Sequence, residues 1–574
     1  MSRATRVMAS RQGRVTMAIL AVLPVGGGCG GQPSLPDVFG PAPIAYADTL
    51  PIAEPAEVAH SELSALMKAS VKDEVGRALS VRRRISGSPE ALNVTSMDDV
   101  VGSSWFEPRI TARPMSPASL AHGPPGADPD TAFTLTVVGA KVGGVSPGFT
   151  VRDRKGDTYL LKFDPVGHPA LQSAADVISS RLFWAAGYNV PRDVVIAFDR
   201  ADLDIAPGTT IETVDGPRPM RTDDVDEILR QVDALPSGRY RALASLFVPG
   251  TPKGPFRFEG TRHDDPNDYY PHEHRRELRG LWVLAAWTEH VDLRFQNTLD
   301  VWIENPGYLA HYLIDFGATL GSRSIRIGNA REGREYSFDL GASLARMATL
   351  GLYRVGWEGT NDDPMHPSIG WIATKSFDPA GWKPFWPNRA YRNMTARDGY
   401  WGAKLVGAFT RSHLEAAVAE ARYPDAAAAE EILDILEYRQ EKVLRHWYGQ
   451  VAPVEHVTVR LEPGSDAAAA RMAIGFQDLG LTGGLWSAAE TRYSWRLVDE
   501  RGRVLYAGEV GAMDEASQTI RVSEGVRSGS TVPTSGARYL TLKLSTVRPG
   551  ASDRSARITL VPDGSGFRVA GLVH

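Results

Sequence analysis

One segment near the middle of the chain constrains the fold more than any other feature. A strongly helical stretch, Glu273 to Glu289, is followed by the polar segment 290–297 with the sequence HVDLRFQN. Two strand-like runs come next, Thr298 to Ile303 and Tyr308 to Ile314, and an Asn-Pro-Gly turn joins them. Because such runs around a turn favour a β-hairpin, the sequence predicts a helix, a polar loop and a hairpin that ends at Asp315.

A second patterned segment lies upstream. The runs Thr134 to Val138 and Phe149 to Phe163 have the composition of β-strands and flank a glycine-rich turn. Ala174 to Ala186 has the pattern of a helix that ends at Gly187, since glycine is favoured just after a helix. The second strand run carries Lys162. The sequence thus predicts strand, glycine loop, strand and helix.

The polar residues of these segments suit one chemistry. Phosphoryl transfer needs a lysine to hold phosphates, carboxylate or amide oxygens to hold magnesium, and a carboxylate to accept the proton of the acceptor hydroxyl. Lys162 lies on a predicted strand. Asp292 and Asn297 lie in the polar loop, and Asp315 follows the hairpin. Each required group therefore has a candidate, in chain order.

The segments 290–297 and 315–317 resemble two motifs of the kinase-like superfamily, the catalytic loop H-R-D-L-x-x-x-x-N and the metal-binding Asp-Phe-Gly, which a β-hairpin joins in that fold. The resemblance covers roughly residues 131 to 450. It is nearer to atypical branches, such as HipA-type and phosphatidylinositol kinases, than to eukaryotic protein kinases. It implies an α+β fold in which a small β-rich lobe lies over a larger helical lobe, with ATP and Mg²⁺ between them.

By this resemblance, Asp292 is expected to be the catalytic base, and Arg294 to steady the transferred phosphoryl group. Asn297 and Asp315 are expected to be magnesium ligands, with Asp315 the principal one. Two departures matter: Val291 replaces the arginine that usually precedes the base, and no Ala-Pro-Glu sequence follows Asp315. Both point away from a regulated protein kinase, so the acceptor stays open among proteins, lipids and sugars.

The upstream segment supplies the nucleotide-binding residues that the resemblance implies. Lys162 matches the phosphate-contacting lysine, and Asp176, in the following helix, stands where the family has a pairing glutamate. Gly143, Gly144 and Gly148 are expected to form the phosphate loop, because glycine leaves backbone N–H groups open to phosphate oxygens. Their spacing is not G-x-G-x-x-G, so an ordinary glycine-rich hairpin is an equal alternative.

Three functions remain open from the sequence. The leading hypothesis is a phosphotransferase that uses ATP and Mg²⁺. The second is a binding lipoprotein whose kinase-like domain has lost turnover, in which Asp292 and Asp315 merely cap turns. The third is transfer of AMP, with ATP bound in the flipped orientation. Retention of Lys162 and Asn297 together with the two aspartates favours activity.

The N-terminus predicts export and a lipid anchor. Four arginines precede an apolar run, Val15 to Val25, that is too short to span a bilayer comfortably. The run leads into Cys29 through three glycines and resembles a bacterial lipobox, although Gly26 stands where Leu or Val is usual. Cys29 is the only cysteine, so it forms no internal disulfide. We therefore expect a lipoprotein of the bacterial cell envelope, anchored to a membrane through Cys29; cleavage after Ala47 is the alternative.

Composition bounds the remaining possibilities. With 43% hydrophobic and 23% charged residues among 574, the chain has the composition of a water-soluble globular protein, and its length requires several domains. A net charge of −5 without a long basic run beyond the N-terminus argues against a nucleic acid partner. The predicted divisions are a signal peptide (1–29), a Pro/Gly-rich tether with a helical segment (30–130), a kinase-like N-lobe (131–250), a kinase-like C-lobe (251–450) and a β-sandwich-like domain (451–574).

A polar cluster ahead of the long helix is a second candidate site. Its histidines and carboxylates are ligand types that metals use. Their spacing matches no defined metal motif, so a solvated loop or a part of the substrate cleft is the favoured interpretation. The cluster comprises His263, Asp264, Asp265, Asp268, His272, His274 and Glu277.

Overall fold

The described part of the chain excludes most of the N-terminal region. The computed structural model describes residues 47–59, 88–140, 146–213, 215–337, 339–350, 352–354, 357, 366–463, 470–522, 538–550, 554–564 and 566–574. The predicted signal peptide with Cys29, most of the helical segment in the tether, and the loop residues Gly143 and Gly144 lie outside the described residues. The expectations for them stay predictions.

Ten α-helices lie in the described residues. They are α1 (Pro117–His122), α2 (Leu171–Ala186), α3 (Thr222–Leu229), α4 (Arg276–Trp287), α5 (Leu340–Ala348), α6 (Arg389–Asn393), α7 (Ala396–Gly407), α8 (Arg411–Glu420), α9 (Ala426–Tyr448) and α10 (Leu479–Thr482).

Nineteen β-strands lie in the same residues and form five sheets. They are β1 (Leu135–Ala140), β2 (Gly148–Arg152), β3 (Thr158–Lys162), β4 (Asp193–Phe198), β5 (Leu203–Ile205), β6 (Thr210–Thr213), β7 (Gly216–Pro219), β8 (Tyr240–Leu246), β9 (Thr251–Pro252), β10 (Thr298–Ile303), β11 (Tyr308–Leu313), β12 (Val454–Pro463), β13 (Ala470–Asp478), β14 (Arg492–Asp499), β15 (Val504–Gly511), β16 (Gln518–Arg521), β17 (Leu540–Val547), β18 (Ser555–Asp563) and β19 (Gly566–Val573).

A six-stranded sheet carries Lys162. Its strand order is β4-β8-β3-β2-β1-β5, and β1 and β5 are its parallel pair. Tyr159 and Leu161 on β3 are buried in one apolar cluster with Phe149 and Val151 on β2, as the two-residue period of a strand requires. Lys162 therefore points to the opposite face of the sheet. The predicted strands are confirmed, the second of them as two paired strands, β2 and β3.

Helices α4, α7 and α9 pack closely at the centre of the helical region, because glycines remove side chains where they meet. A Cβ on Gly280 of α4 would come within 2.5 Å of Trp401 on α7. A Cβ on Gly399 of α7 would come within 2.2 Å of Trp447 on α9. Every residue of α4 is buried, so this helix runs through the core.

The segment between residues 88 and 122 belongs to the packed structure. Trp105 and Phe106 are buried in the same apolar core as α4, and the buried Asp98 carboxylate pairs with the Arg276 guanidinium at 2.5 Å. This part of the predicted tether is packed against the core, and the division of the chain into domains stays a prediction. A proline-rich composition limits regular structure but not packing, and Trp105 and Phe106 are buried together with Ile110 and Leu120 of the same segment.

The helix and hairpin at the middle of the chain are confirmed. Helix α4 ends at Trp287, and β10 and β11 pair antiparallel over their full lengths. The polar segment 290–297 connects the two. The Ile314 N–H, just after β11, donates to the Asn297 carbonyl oxygen at 3.0 Å. The residues that follow the hairpin are thereby fixed beside the end of the polar loop.

Strands β12 to β19 form two further sheets, with the orders β12-β13-β16 and β15-β14-β17-β18-β19. Both contribute to one apolar cluster, which includes Ile474, Tyr493, Leu542 and Ile558. Alternate residues of β17 are buried, as expected for a strand with one face on a core. The strand-rich character predicted for the C-terminal region is confirmed, and its sandwich arrangement stays a prediction.

The mixture of helices and sheets is compatible with the predicted α+β class. The two-lobed arrangement and the domain boundaries stay predictions. Among the helices that the structure describes, none is both long enough and apolar enough to cross a membrane.

Candidate active site

Lys162, Asp176 and Asp315 form a triad of charged groups where β3, α2 and the segment after β11 meet. The Lys162 Nζ lies 2.8 Å from Asp315 Oδ1 and 3.4 Å from Asp176 Oδ2. Lys162 and Asp176 are buried, whereas the Asp315 side chain is 47% exposed. The structure thus brings together three predicted site residues, two of which are 153 positions apart.

The strand that carries the lysine is fixed to the helix that carries Asp176. Helix α2 begins after Ala170, which has no capping side chain of its own. The Asp164 carboxylate, two residues after Lys162, accepts hydrogen bonds from the backbone N–H groups of Ala170, Gln172 and Ser173 at 2.8 to 3.0 Å. Because these groups have no partners within the helix, the carboxylate caps α2 and holds it against β3.

Electrostatics keep the lysine charged. Burial opposes the charged form of Lys162, but the Asp176 and Asp315 carboxylates outweigh it and raise the pKa of the ammonium above its usual range. Burial raises the pKa of Asp176 to about 6, against the lowering effect of Lys162. The ammonium is therefore cationic at neutral pH, as a phosphate-binding lysine must be.

Asp315 adopts an uncommon backbone conformation for a local reason. Its φ of +62° lies in the left-handed region, which non-glycine residues rarely occupy. The next N–H, that of Phe316, donates to Asp176 Oδ1 at 2.9 Å. A Cβ on Gly317 would lie 2.9 Å from the Gln172 Cγ of α2. The sequence Asp-Phe-Gly thus turns the aspartate outward while the next two residues press against α2.

Asp292, Arg294 and Asn297 lie together in the polar loop. The Asn297 amide Nδ2 donates to the Asp292 carbonyl oxygen at 2.7 Å and to its Oδ2 at 3.2 Å. The Arg294 Nε lies 3.1 Å from Asp292 Oδ1. The side chains of Asp292 and Arg294 are 22% and 28% exposed. A substrate hydroxyl can therefore reach the carboxylate, whose position two neighbours fix.

The surroundings of Asp292 make it a stronger base than a free aspartate. Burial raises its pKa, Arg294 and Arg323 lower it, and the charge of Asp315 raises it again. The net shift is upward, and general base catalysis improves as the pKa of the base approaches the working pH. The mutual effect of Asp292 and Asp315 also shows that the base candidate and the metal candidate share one electrostatic environment.

The side-chain oxygens of Asn297 and Asp315 are of the types that bind a magnesium ion. Carboxylate and amide oxygens are ligands that Mg²⁺ prefers. Because the Asn297 amide nitrogen is used by Asp292, the amide oxygen is the atom that remains for a metal. Across the described residues, no group of three or more His, Cys, Asp and Glu side chains converges as a metal site. An ion held here would take further ligands from water and phosphate, as Mg²⁺ commonly does.

Contacts among three rings, tilted or edge-on to one another, connect α2 to the polar loop. The Phe316 ring centroid lies 5.0 Å from that of Phe183 on α2 and 5.5 Å from that of His290. His290 is fully buried, and burial lowers its pKa to about 4, so its ring is neutral at pH 7. The sequence patterns missed Phe183, because an aromatic residue in a helix signals only core packing.

Asp193 is a buried carboxyl that the sequence patterns also missed. It begins β4, is 1% exposed, and neither of its carboxylate oxygens completes a hydrogen bond of normal geometry within the described residues. Burial raises its pKa to about 8, and the neighbouring charge of Asp176 adds to the effect. The carboxyl is therefore mainly neutral at pH 7. The available signal was a single acidic residue at the start of an apolar strand.

Two other expectations have partial outcomes. Of the predicted phosphate-loop glycines, Gly148 is described: it begins β2 and pairs with Lys162 on β3. Gly143 and Gly144 lie outside the described residues, so the phosphate loop stays a prediction. The Asp176 carboxylate lies 3.4 Å from the Lys162 ammonium, and its part in nucleotide binding stays a prediction.

The polar cluster before α4 is a buried network. The His272 Nε2 lies 2.8 Å from Asp268 Oδ2, and the Arg275 Nη2 lies 3.1 Å from Asp268 Oδ1. Glu277 accepts from Arg275 in the same network. The expectation of a solvated loop is wrong for these residues, because the arginine supplies the charge that lets the carboxylates be buried.

Comparison with solved structures gives a distant structural similarity. No protein-family model matches the chain, and no curated protein matches it. The chain is similar to a Helicobacter pylori proinflammatory kinase, CtkA, known from a crystal structure. The similarity covers 56% of this chain and 97% of that chain, with 8% sequence identity and a TM-score of 0.31. A function for this chain must therefore be inferred from its own side chains.

Asp193→Asn tests whether the buried carboxyl is neutral. Its pKa is raised from 3.8 to about 8 on folding, so between those values the unfolded chain releases a proton that the folded chain keeps, and stability falls as the pH rises. One such group costs at most about 1.4 kcal/mol of unfolding free energy per pH unit. The free energy of unfolding, measured with denaturant at pH 5 and at pH 8, should fall less between these two pH values for the variant than for the wild type.

The control for this prediction is Asp204→Asn, at an exposed aspartate on β5. It should keep the pH dependence of the wild type. An Asp193→Asn variant with the same pH dependence as the wild type would show that the carboxyl is not held neutral.

Proposed function

We propose that the chain is an exported, lipid-anchored phosphotransferase that uses ATP and Mg²⁺, with a two-lobed kinase-like domain followed by a β-sandwich-like domain. The observation that carries the proposal is the contact of Lys162 with Asp315 at 2.8 Å. A lysine on a sheet and a half-exposed aspartate after a hairpin, distant in sequence, meet at one place. The pair Asp292 and Asn297 is fixed to the same segment through Ile314.

Each residue of the site has a role in phosphoryl transfer. Lys162 would bind nucleotide phosphates, and Asp176 orients its ammonium group. Asn297 and Asp315 would hold magnesium, which supplies neutralising charge when it is bound. Phosphoryl transfer requires mainly positioning and charge stabilisation from the protein, and these side chains are of the types that provide both.

The residues proposed to act on the acceptor hydroxyl lie in the polar loop. Asp292 accepts the proton of an acceptor hydroxyl, since it is partly exposed, its pKa is raised, and Asn297 fixes its orientation. Arg294, at 3.1 Å from Asp292, stabilises negative charge on the transferred group. The acceptor is a protein, a lipid or a sugar with a free hydroxyl.

Asp292→Asn should separate chemistry from binding. The substitution keeps size and hydrogen bonding but removes the base, so ATP turnover should fall by about a hundredfold or more with nucleotide affinity nearly unchanged. Asp315→Asn should reduce both, because it removes a metal ligand. Slow ATP hydrolysis or self-modification reports turnover, and a fluorescent nucleotide reports binding.

The control is Asp434→Asn, at a highly exposed residue of α9 outside the site, which should behave as the wild type does. Mass spectrometry of the protein incubated with ATP and Mg²⁺ identifies the product: a phosphate adduct supports phosphotransfer, and an AMP adduct supports the alternative of AMP transfer. Wild-type turnover in Asp292→Asn would show that the base is assigned wrongly. Nucleotide binding without turnover in the wild type would favour the inactive binding lipoprotein.

Lipidation of Cys29 places the protein at the bacterial cell envelope. The support is the apolar run that ends in small residues at the sole cysteine, and a two-chain anchor would hold the protein stably at a membrane. Cells grown with an alkyne fatty acid should incorporate the label into the wild type and not into Cys29→Ser. Equal labelling of the two, or a mature N-terminus at Asp48, would contradict lipidation at this residue.

A further inference from the structure

The outer edge of β4 carries backbone groups that do not pair with another strand of the described sheet. β4 is the first strand in the order of that sheet, so only β8 lies beside it. Just before β4, the Leu246 N–H donates to the Arg192 carbonyl oxygen at 2.9 Å, in the register of the β4–β8 pair. In an antiparallel pair, such hydrogen-bonded positions alternate with positions whose backbone groups point away. Val195 and Ala197 therefore direct their N–H and carbonyl groups away from β8.

Arginine side chains bind the outward carbonyl groups. The Arg422 Nη1 donates to the Val195 carbonyl oxygen at 3.0 Å, and the Arg239 Nη2 donates to that of Ala197. The Ala197 N–H follows the Val195 carbonyl along the edge and precedes its own carbonyl, so it lies between the two arginine contacts. Within the described residues, no group accepts a hydrogen bond from this N–H. A backbone donor flanked by two cations favours an anionic acceptor.

A cavity of about 260 Å³ opens at this edge. Its volume is about nine times the share of one water molecule in the liquid, which is roughly 30 Å³. The Arg239 side chain is 40% exposed and Arg422 is exposed, so a solute can reach both from solvent. The cavity is therefore large enough for a small ligand and not only for a bridging water. It is lined by residues 194–197 of β4, by Asp128 and Thr131, and by Arg239 and Arg422.

The charges of the lining favour an anion. Its single carboxylate, that of Asp128, is bound by Arg192, whose Nε and Nη2 lie 2.8 and 2.7 Å from Asp128 Oδ1. Asp199 lies 3.7 Å from the Arg239 Nε, which is beyond hydrogen-bond distance. The Arg239 and Arg422 guanidinium groups have five N–H donors each, and the described residues accept from one donor in each group. Both arginines therefore have donors left for a ligand.

The segment after α8 is held in the conformation that presents Arg422. Its φ of +49° lies in the left-handed region, which non-glycine residues rarely occupy. Arg241, on β8, donates to the carbonyl oxygens of Arg422 at 2.8 Å and of Ala421 at 2.6 Å. Such a conformation persists only where surrounding contacts fix it. The guanidinium group is therefore positioned at the edge of β4 before any ligand binds.

We propose that this cavity binds a phosphate group, free or carried by a small compound, with one oxygen accepting from the Ala197 N–H and the others from Arg239 and Arg422. Three donor groups from separate segments require three acceptor oxygens, which a phosphate monoester has and a carboxylate lacks. Strand β8 separates β4 from β3, which carries Lys162. The site is therefore distinct from the nucleotide site and does not depend on phosphoryl transfer.

Titration of inorganic phosphate into the full-length protein without Mg²⁺ tests the proposal, with calorimetry and phosphorus NMR as readouts. Saturable binding is expected in the millimolar range. A parallel titration with glucose 6-phosphate distinguishes the two sources of the phosphate group. Tighter binding than that of inorganic phosphate would identify a phosphorylated compound as the ligand, and equal affinity would identify free phosphate.

Two variants remove separate donors of the site. Ala197→Pro removes the outward N–H, and proline is tolerated there because the hydrogen bonds to β8 are made by Ile196 and Phe198. Arg422→Gln removes a guanidinium group at an exposed position. Each should weaken phosphate binding about tenfold, since each removes a charge-assisted hydrogen bond. The matched control is Arg460→Gln, at a residue of β12 that is 70% exposed and lies outside the cavity, and it should bind as the wild type does.

Lys162→Met separates this site from the nucleotide site. It should bind phosphate with the affinity of the wild type, even if the proposed nucleotide site is assigned wrongly, and thermal unfolding reports whether the variant is folded. The proposal is overturned if phosphate does not bind saturably, if folded Lys162→Met no longer binds it, or if Ala197→Pro and Arg422→Gln both bind as the wild type does. A loss in Arg460→Gln as large as that in Arg422→Gln would also overturn it, because binding would then follow total charge.

Discussion

The buried ammonium group of Lys162 is the constraint on which the rest of the site depends. Transferring such a charge out of water costs several kcal/mol unless counter-charges and hydrogen bonds replace the water. Asp176 and Asp315 provide that replacement, one from α2 and one from the segment after β11. The sheet, the helix and the hairpin must therefore meet at one place, since the loss of either carboxylate would leave a buried charge less well compensated.

This requirement explains features of the chain on both sides of the contact. Asp164 caps α2 and fixes it against β3, so that Asp176 reaches the lysine. The left-handed backbone at Asp315 directs its carboxylate to the same point, while Phe316 packs between Phe183 and His290. The polar loop is thereby positioned by packing and by hydrogen bonds. A site preorganised in this way is what charge-stabilising catalysis requires.

Local sequence patterns were sufficient to predict the strands and helices of the site. The residues that these patterns missed are those whose roles arise from contacts between parts of the chain distant in sequence. The hairpin after the polar loop has its own turn and strand signals, so Asp315 could be placed beyond its end from the sequence alone. Asp193 and Phe183 have no such signal, because their importance arises from burial beside groups distant in sequence. The packing of Trp105 was hidden by the prolines around it.

The central claim is that Lys162 and Asp315 form one site for a magnesium nucleotide. Calorimetric titration of ATP into the wild type and Lys162→Met, with and without Mg²⁺, tests it most directly. The wild type should bind ATP saturably only when Mg²⁺ is present, and Lys162→Met should bind at least about tenfold more weakly, because a charge-assisted hydrogen bond is worth roughly twice a neutral one. Equal affinity in the two proteins, or binding that does not depend on Mg²⁺, would contradict a shared site at Lys162 and Asp315.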